Sequence, residues 1–208
     1  MSEWHWHYHE YQPEQERLRE ALCTLGNGYF ATRGAAPEAD AGAHHYPGTY
    51  LAGGYNRAES EVQGRVVENE DLVNLPNWLV LRLIFDDGSR FSLDDMEILT
   101  FAQSLDMRCG VLTRKVRFRD AQGRTTELRQ RRLVHMRLHH LAALETTLTA
   151  VDWSGPVQVE SALDGGVENA GVERYQGLTG RHLSPVHTDA VGEDAVLLKA
   201  RTRQSRLE

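Results

Sequence analysis

The sequence has 208 residues, enough for a substantial hydrophobic core in one large domain or two small ones. Twenty-three Lys and Arg against 30 Asp and Glu leave a net charge of −7, which argues against nucleic-acid binding over the whole chain. With 40% apolar and 25% charged residues the chain is not globally disordered, and two cysteines, Cys23 and Cys109, are too few for a disulfide scaffold.

The amino end, Met1 to His5, has neither the basic patch nor the apolar stretch of a secretory signal. The best apolar run, Leu79 to Phe85, is short and contains Arg82, so no membrane span is expected and a cytoplasmic protein is the default. Pro13 followed by Glu14, Glu16, Arg17, Leu18, Arg19, Glu20, Ala21, Leu22 and Leu25 predicts one amphipathic helix. Leu18, Leu22 and Leu25 form its apolar stripe, with Pro13 in the first turn and Gly26 as the stop. Loops rich in Gly, Asn and Pro follow as far as Gly64.

From Leu79 the period changes to two. Leu79, Leu81, Leu83 and Phe85 predict a strand that turns at Asp86-Asp87-Gly88-Ser89 into Arg90–Leu93. Leu112, Val116 and Phe118 alternate with Thr113, Lys115, Arg117 and Arg119, turn at Asp120–Gly123, and return over Thr125–Met136. A third pair, Leu141–Val151 with Val157–Leu163, is joined by Asp152–Pro156, and Gly192-Glu193-Asp194 turns into Ala195–Thr202. Many strands at hairpin spacing with one short helix predict an all-β antiparallel sandwich, read as a single domain. The lack of crossover helices excludes a parallel βαβ fold.

Several clusters carry chemistry that spacing alone does not complete. His5, His7 and His9, interleaved with Trp4, Trp6, Tyr8 and Tyr11, would share one strand face, but no Cys or carboxylate finishes a metal set. His135, His139 and His140 split over two faces of a strand. Arg114, Lys115, Arg117, Arg119, Arg124, Arg129, Arg131 and Arg132 could track phosphates, yet lack interleaved aromatics and read better as a solvated hairpin face or a contact with an acidic neighbour. No phosphate loop, Schiff-base lysine or serine with a neighbouring base stands out. The carboxylates Glu68, Glu70, Asp71, Asp94, Asp95, Glu97 and Asp164 read as turn and edge charges, because spacing in loops cannot fix the separation that glycoside cleavage requires. Tyr46–Tyr50, Tyr55-Asn56 and Asn74–Trp78 mix rings that stack on sugars with amides that bond hydroxyls, and the same residues also make rigid turns and interfaces.

Leu25-Gly26-Asn27-Gly28-Tyr29-Phe30-Ala31-Thr32-Arg33-Gly34 resembles the opening signature of glycoside hydrolase family 65, which contains maltose, trehalose, kojibiose and nigerose phosphorylases and related α-glucoside hydrolases. Tyr46–Asn56, Leu72–Trp78, Leu105–Leu112, Trp153-Ser154-Gly155 and Ser161–Gly165 are similar to further family segments, in the same order. The resemblance implies an amino-terminal super-β-sandwich, galactose-mutarotase-like, over residues 1–200. Residues 201–208 would then be either a continuation into further family sequence or an added tail. It also implies a following (α/α)6 barrel, absent here, that carries the Glu general acid and the inorganic-phosphate site. The parent enzyme would cleave an α-glucose disaccharide with inversion, using phosphate as co-substrate and no other cofactor, while this chain alone would be inactive and have a structural, barrel-orienting role. No catalytic residue and no metal ligand is transferred to this chain. Tyr50, Asn56, Asn74, Asn77 and Trp78 are the candidates for facing the barrel mouth or a sugar. In that arrangement Tyr50 and Trp78 pack, while the asparagines bond backbone or sugar. Self-association as a homodimer, or a free-standing carbohydrate-binding module, are the alternative roles; nucleic acid and membrane are not expected partners.

Overall fold

In the computed structural model, which describes residues 3–170 and 178–208, the chain forms fourteen strands and one helix. In chain order these are β1 (His5–Tyr8), α1 (Pro13–Leu22), β2 (Leu25–Gly26), β3 (Phe30–Thr32), β4 (Thr49–Leu51), β5 (Tyr55–Val62) and β6 (Arg65–Leu72). They continue as β7 (Leu81–Phe85), β8 (Glu97–Asp106), β9 (Val111–Arg119), β10 (Thr125–Val134), β11 (Ala142–Ala150), β12 (Val157–Ser161), β13 (Leu183–Val191) and β14 (Ala195–Thr202). Every strand pair described below is antiparallel. The chain folds as two compact units that interleave along the sequence. One comprises Met1–Pro47 with Leu81–Ser161, the other Gly48–Val80 with Ala162–Glu208.

The first unit is built on a five-stranded sheet in the order β1-β8-β9-β10-β11. Alternation along β9 sends Leu112, Val116 and Phe118 inward and Lys115 and Arg117 outward, as the period requires. Register places Phe101 and Leu128 on either side of Val116. These residues pack with Leu83, Phe85, Phe91, Leu93 and Phe118 into the main core. Phe91 and Phe118 have ring centroids 4.4 Å apart, and Trp153 meets Phe85 edge-on at 5.8 Å.

Two predicted pairings are corrected. Val157–Ser161 does not pair with β11; it pairs with β7, matching Val159 to Leu83, while β11 pairs with β10 over Thr126–Val134. Asp152–Pro156 is therefore a connection between sheets. Asp152 bonds the Thr125 amide at 2.7 Å, and the Trp153 indole N–H donates to the Thr125 carbonyl at 3.1 Å, so the chain is tied back before it leaves. The return over Arg90–Leu93 is no strand, only a bridge from Ile84 to Arg90 and a bond from the Phe91 amide to Leu83. The Asp120–Gly123 turn and the Gly192 turn between β13 and β14 are found as expected.

The helix is shorter than predicted and rolled the other way. It ends at Leu22, and Leu25 is a buried residue of β2. Its buried side chains are Glu16, Arg19 and Glu20, whereas Leu18 and Leu22 are more than half exposed. At about 100° per residue, Leu18 and Leu22 sit opposite Glu16 and Glu20, so burying one pair exposes the other. The charged face is buried because it is fully partnered. Arg19 bonds the Glu10 carbonyl and the Gln12 side chain, each at 2.7 Å, pairs with Glu16 at 3.2 Å, and lies 4.5 Å from the Tyr8 ring. Past the helix, the Gly34 amide donates to the Glu20 carbonyl at 2.7 Å. A Cβ at Gly34 would stand 2.6 Å from Cys23 Cβ, so only glycine permits that approach.

In the second unit β5 pairs with β6 and β13 with β14. The β5–β6 hairpin turns on Gln63 and Gly64, both at positive φ, the twist-matched geometry of two-residue hairpins. Its first strand lies where loops were expected, and its second follows directly after them. Both faces of that ribbon are largely polar and exposed, so no apolar alternation marks it in the sequence.

Candidate functional site

All five residues singled out from the sequence fall in the second unit. Asn56, on β5, is buried with every polar position of its amide engaged. Its Oδ1 accepts from the Gln204 and Ser205 amides at 2.9 and 3.0 Å and from the Ser205 hydroxyl at 3.3 Å. Its Nδ2 donates to the Arg57 carbonyl at 2.8 Å and reaches His182 Nδ1 at 3.0 Å. Asn74 accepts from the Thr49 amide at 3.0 Å and donates to the Glu168 carbonyl at 3.3 Å. Asn77 caps the Leu79 amide at 3.0 Å, and its backbone exchanges two bonds with Asp164. The asparagines therefore hold backbone, one of the two roles the sequence left open. They do not converge: Asn56 joins the ends of the unit's chain, and Asn77 pins the segment after β6. Tyr50 on β4 and Trp78 are half-buried.

Sequence reasoning missed His182, which is buried beneath Asn56. Because Nδ1 accepts from the Asn56 amide, the ring proton sits on Nε2, 3.2 Å from Asp71 Oδ2 in a contact too poorly aligned to be a hydrogen bond. Burial pulls the imidazole below its ordinary pKa, Asp71 offsets part of this, and Arg203 adds to it. The arrangement fixes a neutral histidine. Residues 203–205 close over it through the Arg203 amide, bonded to the His182 carbonyl, and the two amides on Asn56.

The first unit has a polar centre of different sign. Glu20 Oε1 lies 2.9 Å from His45 Nδ1, His45 Nε2 lies 3.2 Å from the Tyr11 hydroxyl, and that hydroxyl donates to Asp94 at 2.8 Å. The second Glu20 oxygen accepts from the Tyr46 amide at 2.8 Å. A phenol has one proton, and Asp94 takes it, so the Tyr11 oxygen can only accept from His45. Nε2 is therefore a donor, and with the Glu20 carboxylate accepting from Nδ1 the imidazole carries protons on both nitrogens. Burial alone would lower the His45 pKa, but the Glu20 hydrogen bond and the charges of Glu20, Glu16 and Asp94 outweigh it and raise it. Tyr11 is pushed up by burial and by Asp94 and stays a phenol.

The arginine run is not a uniform solvated face. Lys115, Arg117, Arg129 and Arg131 point to solvent, while Arg114 and Arg132 are buried. Arg114 Nη2 contacts both Glu38 oxygens at 2.6 Å, and Arg132 donates to the Ala35 carbonyl at 2.9 Å. Arg124 pairs with Asp86, Asp87 and Asp120. His5 and His7 on β1 and His9 just beyond it stack with centroids 5.6 and 6.0 Å apart. Among the described residues no group of three or more His, Cys, Asp or Glu is arranged to hold a metal, and no helix is long and apolar enough to cross a membrane.

Comparison with known proteins gives a consistent result. The model for the glycosyl hydrolase family 65 N-terminal domain matches residues 6–208. An uncharacterized glycosyl hydrolase of Mycobacterium tuberculosis (strain H37Rv) is 47% identical over 97% of the chain. A kojibiose phosphorylase of Caldanaerobacter subterraneus subsp. tengcongensis is 33% identical over 88% of the chain, and a trehalose 6-phosphate phosphorylase of Lactococcus lactis subsp. lactis is 31% identical over 91%. The chain spans 15%, 22% and 23% of these relatives. A solved structure from the human microbiome, provisionally named a kojibiose phosphorylase, superposes with a TM-score of 0.81 at 21% identity, covering 96% of this chain and 25% of that one. The likeness shows a shared fold, in keeping with the antiparallel all-β architecture. With the family match running from β1 to the end of the chain, this protein belongs to glycosyl hydrolase family 65, as its N-terminal domain.

Proposed function

We propose that the chain is the scaffold domain of a phosphorylase or hydrolase that cleaves an α-linked glucose disaccharide with inversion. A following barrel domain would supply the general acid and the phosphate site. The observation that carries this reading is the family match over residues 6–208 in a chain that spans about a fifth of its phosphorylase relatives. In the phosphorolytic version a carboxylic acid protonates the leaving oxygen while phosphate attacks the anomeric carbon, releasing β-glucose 1-phosphate. In the hydrolytic version a second carboxylate activates water.

Within this reading the domain expected over residues 1–200 also takes in 201–205, because β14 runs to Thr202 and residues 203–205 close onto His182 and Asn56. Asn56, Asn74 and Asn77 set the backbone frame, and Tyr50 and Trp78 are the side chains through which their loops meet the barrel or a sugar. The test is an assay of the full-length protein with kojibiose, trehalose and maltose, with and without phosphate, beside the 208-residue chain. Phosphate-dependent glucose 1-phosphate release, or hydrolysis, by the full-length protein alone is expected. Turnover by the short chain, or no turnover of any of the three sugars by the full-length protein, overturns the proposal. Trp78→Ala in the full-length protein is expected to lower turnover or thermal stability, and wild-type behaviour in both removes Trp78 from this role.

A further inference from the structure

The first unit contains a cavity of about 330 Å³ lined by the Ala36–Asp40 and Arg90–Asp95 segments together with Tyr11, His45 and Arg82. That volume lies at the small end of ligand pockets and suits one sugar ring. Its polar lining is mixed in sign. Arg82 is already held by Glu160 at 2.7 Å and Asp40 at 3.4 Å, and Asp94 already accepts the Tyr11 proton. Arg90 and Asp95 also line it, and among the described residues neither side chain has a polar partner.

We propose that this cavity is a non-catalytic binding site for a neutral, hexose-sized sugar. Each hydroxyl of a polyol both donates and accepts, so one such ligand can satisfy the Arg90 guanidinium and the Asp95 carboxylate together. A phosphate would meet Arg90 but face the Asp94 and Asp95 carboxylates, and a metal cation would meet the reverse conflict with Arg82 and Arg90. Part of the lining is fixed in advance. Tyr11 is locked between His45 and Asp94, and the Asp94 and Asp95 amides bond Ser92 at 3.2 and 3.3 Å, which holds the carboxylate segment in place. The choice of glucose as the probe rests on the function proposed above; the class of ligand rests on the cavity.

The test is an NMR titration of the 208-residue chain with D-glucose, following the Tyr11 and His45 ring signals, with inorganic phosphate as counter-probe. Saturable shifts with glucose, none with phosphate, and affinity weakened at least tenfold by Arg90→Ala and by Asp95→Asn are expected. Both variants alter exposed side chains without polar partners, and unchanged melting temperatures verify that they fold. No saturation by glucose in the wild-type chain overturns the proposal. So does saturation by phosphate, or glucose affinity unchanged in both variants. Disaccharide cleavage by the full-length protein reads the function proposed above separately, so either can fail while the other stands.

Discussion

The Glu20 carboxylate and the His45 imidazole, 2.9 Å apart and both buried, form the centre of a proton-ordered chain. Its far end, Tyr11 donating to Asp94, makes His45 Nε2 a donor, while the Glu20 carboxylate at Nδ1 favours the charged ring. A histidine whose folded pKa lies above its unfolded value of about 6.5 contributes stability that is complete below that pH. The contribution is lost as pH rises through the folded value. NMR titration of the His45 ring is expected to give a midpoint above the ordinary histidine value in the wild-type chain and a lower one in Glu20→Gln. An unchanged midpoint in the variant would mean that Glu20 is not the group holding the proton there.

His182 predicts the opposite pH dependence. Its folded pKa is depressed, so the unfolded chain binds the proton first as pH falls. The associated stability is present above about pH 6.5 and lost as pH falls toward the folded value. Denaturant unfolding at about pH 7.5 and about pH 5.5 is expected to show a smaller acid loss in His182→Gln than in wild type. Asn56→Ala strands the Gln204 and Ser205 amides and His182 Nδ1, and is expected to cost about 2–4 kcal/mol at neutral pH. A cost below about 0.5 kcal/mol would mean that water replaces the amide freely.

What could be read from the sequence follows from which signals are local. The Val111–Arg119 and Thr125–Val134 strands declare themselves because one face meets the core and the period is strict. Trp153 and Val157 illustrate the limit. Both lie in a segment that looks like a hairpin turn and its return, but the partner of Val157 is Phe85, fixed by long-range packing that no local pattern records. The β5–β6 ribbon escaped because it has no apolar face. Asn56 was visible as a sugar-like amide, but its partners Gln204 and Ser205 lie almost 150 residues away, so its structural employment was not. Neither polar centre had a motif: Glu20 and His45 are separated by 25 residues, and Asp71 and His182 by more than 100.

Glu38 and Arg114 form a buried ion pair whose removal is costly. Their side chains are 4% and 6% exposed, and Arg132 is buried nearby with its pKa pulled down to about 10 by burial and by Arg114. Removing the carboxylate leaves two buried guanidinium groups against each other, so Glu38→Gln is expected to cost about 3–5 kcal/mol. Replacing both partners, as Glu38→Leu with Arg114→Met, is expected to recover most of that loss, because the desolvation of the pair disappears with it. A double-mutant cycle by urea unfolding checks this; additive losses would show that the two groups do not stabilise each other.

The roll of α1 gives the sharpest contrast between pattern and structure. By pattern, Leu22 belongs to the buried stripe, and its replacement by Gln should cost as much as a core truncation. In the structure Leu22 is 53% exposed, and Leu22→Gln is expected to change stability by no more than about 0.5 kcal/mol. Glu20 is 1% exposed, and Glu20→Ala leaves the charged His45 and the Tyr46 amide without their acceptor. That variant is expected to cost about 2–4 kcal/mol, more than any single solvent-facing leucine of the helix. Urea midpoints of the two variants at neutral pH decide the matter. The reverse order would require the helix to turn by about half a revolution, which would also pull Arg19 off the Tyr8 ring and break its bond to the Glu10 carbonyl.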